Sequence, residues 1–347
     1  MMFRSVPQGS EADAPPLRRN RIPLAIGALV AAVALAACSS TGGKPAGTGG
    51  GGGGAGGVNT PRVTIAMVTH EAPGDTFWDL IRKGAQAAAD KDNIELKYSA
   101  NKEGPEQGNL VQNAVDSKVA GLAVTLAQPD AVKPAVAAAV AAGIPVVAFN
   151  SGINQWKDMG ALEYFGQDET LAGETAGKRL AAEGAKNVVC VIQEQGSVVL
   201  ESLCDGATRA FTTGPMEKLY VTGTDLPSVE STIGAKLQQD PSIDYIVTLG
   251  APIALTAVKS IGNTGSKAKV GTFDTNAALV AAVKDGSVQW AIDQQPYLQG
   301  YLAIDSLWLY LNNKNVIGGG EPTLTGPAFI DKTNIDSVAA LAEAGTR

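Results

Sequence analysis

One histidine, His70, stands alone among 347 residues. A metal site built on two imidazoles is therefore excluded, and no zinc-type spacing of ligands is found. Basic side chains are the minority, 27 against 34 acidic, for a formal charge of −7. There is no basic patch with interleaved aromatics, so nucleic acid is not an expected partner. The chain has no G-x-S-x-G turn, no phosphate-cradling P-loop and no pair of carboxylates spaced for acid–base work. An enzyme is the least expected reading, and no cofactor or metal is implied. Residues 22–37 are a charge-free, mostly apolar run of 16, short of the roughly 20 that span a bilayer. What is present, at 45% hydrophobic and 18% charged, is globular, with material for two cores.

The short apolar run follows Arg18, Arg19 and Arg21 and ends in Leu35-Ala36-Ala37-Cys38. A positive region, an apolar stretch and small residues before a cysteine predict a signal peptide over 1–37. The Cys38 thiol resembles the lipid-modified position of a lipobox. Cleavage there would remove four basic and two acidic side chains and take the formal charge from −7 to −9. Residues 41–57 are almost all glycine, alanine and threonine. They form a flexible tether with a reach on the order of 20 Å, so residues 38–60 are read as anchor plus spacer. The remaining thiols, Cys190 and Cys204, fall in an exported, oxidising context. They are either a disulfide closing a loop of 15 residues or two buried thiols.

Residues 63–91 organise the rest. Val63–Val68 is a β-branched run of strand length, Thr69-His70-Glu71 stands at its end, and Ala72-Pro73-Gly74-Asp75 is a turn. Asp75 or Thr76 can cap the helix that follows, whose stripe is Phe77, Leu80, Ile81, Gly84, Ala85 and Ala88. Ligands in open α/β sheets bind beyond the carboxyl ends of parallel strands. Two adjacent aromatics, Phe77 and Trp78, cannot both face a core there. Beside Asp75 they offer an apolar face and a carboxylate, which is chemistry suited to a sugar ring.

Strands and helices then alternate. Strands are expected at 94–98, 121–127 and 145–149, with helices at 105–118 and 131–142 between them. The pattern restarts with a helix at 168–182, whose inward face is read as Leu171, Ala172, Thr175, Ala176 and Leu180. Further strands are expected at 188–192, 219–222, 245–249, 270–274 and 288–292, and a last long helix at 298–311. The fold class is α/β: two doubly wound, Rossmann-like parallel-sheet units, with crossovers near Gly166-Gln167-Asp168 and Gln294-Gln295-Pro296. Trp156, Trp290 and Trp308 are read as packing.

Five stretches together resemble one family: VTHEAPGDTFWDLIRKGAQAAA, GLAVTLAQPDAVKPAVAAAVAAGIPVVAFNSG, YFGQDETLAGETAGKRL, VGTFDTN and AIDQQPYLQGYLA. In this order they are similar to ribose-type periplasmic sugar-binding proteins, the solute-binding subunits of ABC importers. The resemblance implies two lobes of the type I periplasmic binding fold joined by a three-segment hinge. The lobes would be 61–166 with 295–325, and 167–294 with 326–347. It implies that Phe77 and Trp78 sandwich a sugar, and that Asp75, Asp274 and Gln294 bind it. Asn150-Ser151 stands where ribose binders carry Asp-Arg. Leu203 and Gly250-Ala251 replace a further arginine and an Asn-Asp pair, so ribose itself is disfavoured. Either His70, Gln193 or Glu194 supplies the replacement contacts, or the ligand is larger or differently shaped. Through NSG and GQDE the chain also resembles actinobacterial-type lipoproteins, whose ligands include polyols and cyclitols.

The resulting expectation is a monomeric, lipid-anchored protein on the outer face of the cytoplasmic membrane. It would pass a pentose, hexose or cyclitol to an ABC permease. The alternative is a receptor lipoprotein feeding a membrane sensor. A DNA-binding repressor of the same fold would need a helix-turn-helix where the leader and tether stand.

Overall fold

The structure is a computed structural model and describes residues 60–347. The predicted leader, Cys38 and the glycine tether lie outside the described residues. Two six-stranded sheets are formed. The first has the order β11-β5-β4-β3-β1-β2, from β1 (Val63–Thr69), β2 (Ile94–Ala100), β3 (Gly121–Val124), β4 (Val146–Phe149), β5 (Glu163–Gly166) and β11 (Thr323–Leu324). The second has the order β12-β10-β9-β8-β6-β7, from β6 (Val188–Ile192), β7 (Met216–Tyr220), β8 (Tyr245–Thr248), β9 (Lys269–Phe273), β10 (Trp290–Asp293) and β12 (Ala328–Asp331). All pairings are parallel except β10 with β12.

Leaving aside the added edge strands β11 and β12, both sheets follow one plan. The first strand sits between the second and third, and the order reverses there, which is the switch point of a doubly wound sheet. Sequence explains which strands are central. β3, β4, β6 and β8 are buried throughout and consist mostly of Val, Ile, Ala, Leu and Tyr. A strand covered by helices on both faces cannot alternate polar and apolar residues. β7, MEKLY, is only half covered and lies at an edge.

Helices α1 (Phe77–Lys91), α2 (Gly104–Asp116), α3 (Pro129–Ala141) and α9 (Pro296–Asn313) cover the first sheet. The second is covered by α4 (Glu169–Ala182), α5 (Val198–Ala210), α6 (Leu226–Gln239), α7 (Ala251–Thr264), α8 (Ala277–Asp285) and α10 (Ile335–Ala344). The chain passes from one sheet to the other between Gly166 and Glu169, between Asp293 and Pro296, and between Leu324 and Ala328. The return of α9 to the first lobe is fixed by close backbone contact with α1. A Cβ on Gly84 would lie 1.9 Å from the Tyr297 carbonyl oxygen, and one on Gly300 2.1 Å from that of Ile81. No side chain fits there, so these two glycines set the depth at which α9, and the turn before it, is seated.

Some expectations are corrected. Leu171 was read as inward but is 42% exposed; Ala172, Ala176 and Leu180 hold the α4 stripe instead. The apolar run 121–127 is strand only to Val124; the Thr125 N–H still donates to the Val68 carbonyl of β1 at 3.2 Å, and its hydroxyl is hydrogen-bonded below the cleft. Trp156 and Trp290 are buried among core residues, and Trp308 packs against the cluster around Ile81. Cys190, on β6, and Cys204, on α5, form a disulfide inside the second lobe. Among the described residues no helix is long and apolar enough to cross a membrane.

Candidate functional site

The carboxyl ends of several strands in both sheets deliver side chains to one place. His70 follows β1, Asn150 follows β4, Gln193 and Glu194 follow β6, Asp274 follows β9 and Gln294 follows β10. All six line a single cavity of about 560 Å³ between the lobes, together with Asp75, Phe77 and Trp78 from the turn and helix start after β1. That volume lies within the roughly 300–1,000 Å³ range of small-molecule sites. Two hydrogen bonds join the lobes beside it: Asn276 Nδ2 to Thr76 Oγ1, and Val198 N to the Ala127 carbonyl, both 3.4 Å.

Of the residues expected to contact ligand, Ser151 alone is absent from this cavity. It is fully buried, and its hydroxyl accepts from the Leu126 N–H at 3.1 Å. Its role is to shape the loop beneath Asn150.

The aromatic pair is not a sandwich. Phe77 and Trp78 meet edge to face, with centroids 5.2 Å apart and planes at 87°. Trp78 also meets His70 edge to face at 4.7 Å. Neighbours on one helix turn cannot supply two parallel walls, so the pair forms a corner. Trp78 is 3% exposed and belongs to the first-lobe core, while Phe77 is half-buried.

The polar wall is rich in acceptors. Asp75 Oδ1 accepts from the Phe77 N–H at 3.0 Å, which turns the chain into α1. Burial raises its pKa. Burial also pushes Asp274 up to about 8, against the hydrogen bond from Gln294 and with the nearby Asp293 and Asp75 adding to the rise. Glu194 is pushed up to about 7 by burial and by the charge of Asp75. Gln193 donates to the Leu249 carbonyl at 2.9 Å, and its Oε1, with Glu194 Oε1 and Thr275 Oγ1, is buried without a protein partner. Three buried oxygens without a partner, all on residues that line the cavity, are a costly arrangement. Lys102 is the one basic side chain among the lining residues, and it pairs with Glu103 at 2.9 Å.

Two positions on the wall have unusual backbone. Asn150 has φ 64° and Asp274 φ 63°. Asn and Asp tolerate this left-handed region better than other non-glycine residues, and such geometry gathers at ligand sites. Gln294 lies between them. Asn150 Nδ2 donates to its Oε1 at 3.3 Å, and its Nε2 donates to Asp274 Oδ1 at 2.7 Å. Gln299, fully buried on α9, completes the knot with bonds to the Gln294 carbonyl, Gln294 Oε1 and Thr325 Oγ1.

Sequence reasoning did not find Glu103, Thr275, Asn276 or Tyr220, all of which line the cavity. They sit on loops or an edge strand with no periodic signal. Asn276 had a local signature as the N-cap of α8, where its side chain accepts from the Leu279 N–H. Leu203, where ribose binders carry arginine, is 2% exposed in the second-lobe core.

Comparison with known proteins agrees with this architecture. Residues 65–315 match the family described as periplasmic binding protein domain. A carbohydrate transporter from Acidothermus cellulolyticus 11B, crystallised in complex with myo-inositol, is 58% identical. That match has a TM-score of 0.82 and covers 83% of this chain and 100% of that one. The xylose/arabinose-binding protein XylF of Sulfolobus acidocaldarius is 27% identical over 244 residues, or 65% of this chain and 60% of that protein's length. The ribose import binding protein RbsB of Bacillus subtilis is 25% identical over 264 residues, covering 74% of this chain and 83% of that protein. The chain belongs to the periplasmic binding protein domain family, in its ribose-type sugar-binding branch.

Proposed function

We propose that this protein is the extracytoplasmic solute-binding component of an ABC importer and that its ligand is a neutral polyol of cyclitol type, such as myo-inositol. The observation that carries the reading is the composition of the cavity wall. Four carboxylates, Asp75, Glu103, Glu194 and Asp274, share it with the amides of Asn150, Gln193, Gln294 and Asn276, and its one lysine is already paired. An anionic ligand would meet carboxyl groups, with no free cation to offset its charge. A neutral ring of hydroxyls finds acceptors for its hydrogens and a corner of aromatic rings for its C–H face. The guanidinium groups of ribose binders are missing, and a relative 58% identical to this chain was crystallised with myo-inositol.

Binding works by closure. The ligand touches side chains from both lobes, so it favours the arrangement in which both reach it. Gln294 stands at a crossing segment and touches one residue of each lobe, which couples occupancy to hinge position. The family is extracytoplasmic. The Cys38 motif and the tether support lipid anchoring at the membrane surface, and delivery to a permease follows from the importer role.

A melting-temperature screen across pentoses, hexoses and cyclitols tests the reading. A ligand at 100 times its Kd adds about 2.7 kcal/mol of stability. A rise with a cyclitol that exceeds the rise with any aldose is expected. No rise with any sugar or polyol would overturn it.

A further inference from the structure

The ring state of His70 is set from beneath the cavity. The Thr125 hydroxyl oxygen accepts from the His70 backbone N–H at 3.1 Å and from Gln107 Nε2 at 3.0 Å. It lies 2.8 Å from His70 Nδ1. A hydroxyl has two acceptor lone pairs and one hydrogen. A backbone N–H can only donate, and so can an amide nitrogen, so both lone pairs are taken. The hydroxyl hydrogen is left for the one neighbour able to accept it, Nδ1. Gln107 cannot be turned the other way without cost. Its Nε2 also donates to the Thr125 carbonyl at 2.9 Å, and a reversed amide would set oxygen against oxygen there.

We infer that Gln107 and Thr125 are positioning residues that hold His70 as a neutral imidazole protonated on Nε2, so that the cavity presents one fixed hydrogen-bond donor among its carboxylates. Both residues are fully buried and neither lines the cavity. The edge-to-face contact with Trp78 fixes the ring plane. Burial acts in the same direction, holding the imidazole pKa down to about 4. A second proton on Nδ1 would point at a hydroxyl with no lone pair to give.

The consequence for specificity rests on the polyol reading. A ligand hydroxyl beside His70 must offer a lone pair to Nε2–H, while Asp75 accepts a hydrogen from a neighbouring hydroxyl. An ammonium in that place has no lone pair and is rejected, whereas a fluorine, which can only accept, is tolerated better than at the positions facing the carboxylates.

Because the chain has a single histidine, 15N-histidine labelling gives one pair of ring-nitrogen signals. The ligand-free protein is expected to show the Nε2-protonated pattern, unchanged from pH 8 to pH 5. Thr125→Val should bring averaged tautomer signals, because the hydroxyl that selects the Nδ1 acceptor is gone. Thr125→Ser should restore the original pattern. Affinity for myo-inositol should fall about three- to tenfold in Thr125→Val and recover in Thr125→Ser. An Nδ1-protonated or averaged pattern in the wild-type protein would overturn the inference, and that readout needs no variant to fold. An Nε2 pattern in a protein that answers to no polyol would leave the ring assignment standing and overturn the polyol reading alone.

Discussion

Asn150 and Asp274 occupy matching places in the two lobes, each the first residue after the fourth strand of its sheet's common plan, each with a left-handed backbone, and the two ends of the Gln294 amide join them. The bond to Asp274 is the shorter, at 2.7 Å against 3.3 Å. Replacing Gln294 by Leu would leave the half-buried Asp274 carboxyl without its amide donor, while the Asn150 amide keeps only its bond to Gln299 Oε1 at 3.2 Å. The expected cost is about 1–3 kcal/mol of stability and at least about tenfold in affinity, since closure loses its internal tie. Denaturant melting and calorimetry check the two separately. A Gln294→Leu protein that melts and binds like the wild type would show that the bridge carries no weight.

Asp274 should leave a mark on the pH dependence of stability. Its carboxyl titrates at about 8 in the fold against an ordinary value of 3.8, because burial disfavours the charge. A raised acid favours the folded state fully below about 4, and that contribution is lost as the pH rises through about 8. His70 works oppositely, with its contribution present above about 6.5 and lost as the pH falls toward about 4. The comparison is therefore made between variant and wild type, where the His70 part cancels. Asp274→Asn should gain stability relative to wild type between pH 5 and pH 8.5 while losing affinity for the ligand. A melting-temperature difference that stays constant over this range would contradict the assignment.

Phe77 and Trp78 should separate in their effects. Trp78 is a core residue as well as a wall, so Trp78→Ala is expected to cost about 3–5 kcal/mol of stability. Half-buried Phe77 gives up less packing, and Phe77→Ala should lower ligand affinity about tenfold with a stability loss of roughly 1–2 kcal/mol. Equilibrium unfolding and titration of tryptophan fluorescence distinguish the two outcomes.

The Cys190–Cys204 bridge ties β6 to α5 behind the second sheet, away from the cavity. A cross-link closing a loop of this length contributes about 3 kcal/mol. The double variant Cys190→Ala with Cys204→Ala should unfold at lower denaturant by that amount. Its affinity should stay within about twofold of wild type. A large affinity loss would mean that the bridge shapes the binding wall.

The strand–helix alternation was legible because each central strand is an unbroken apolar run and each helix carries its own stripe. The convergence of His70, Asn150, Asp274 and Gln294 was legible for a related reason: the carboxyl ends of parallel strands meet at one edge of a sheet. Strand β5, EYFG, left no such signal, since its charged and aromatic residues are buried by neighbours from distant sequence. β11, with two residues, and the antiparallel β12 are too short to have a period. Leu171 fits an apolar stripe on paper, but the groove between α4 and α5 is closed by Gly173, Gly177 and Gly206, and this rotates α4 until Leu171 faces out. The Gln107–Thr125–His70 chain joins three elements 18 to 55 residues apart and could be found only from coordinates.

Isothermal calorimetry of the purified protein with myo-inositol is the most direct test of a polyol held between the lobes. A saturable, one-to-one heat is expected, abolished in Asp274→Ala and absent when a sugar phosphate replaces the cyclitol. Heat from the sugar phosphate but none from myo-inositol or any neutral sugar would contradict the account.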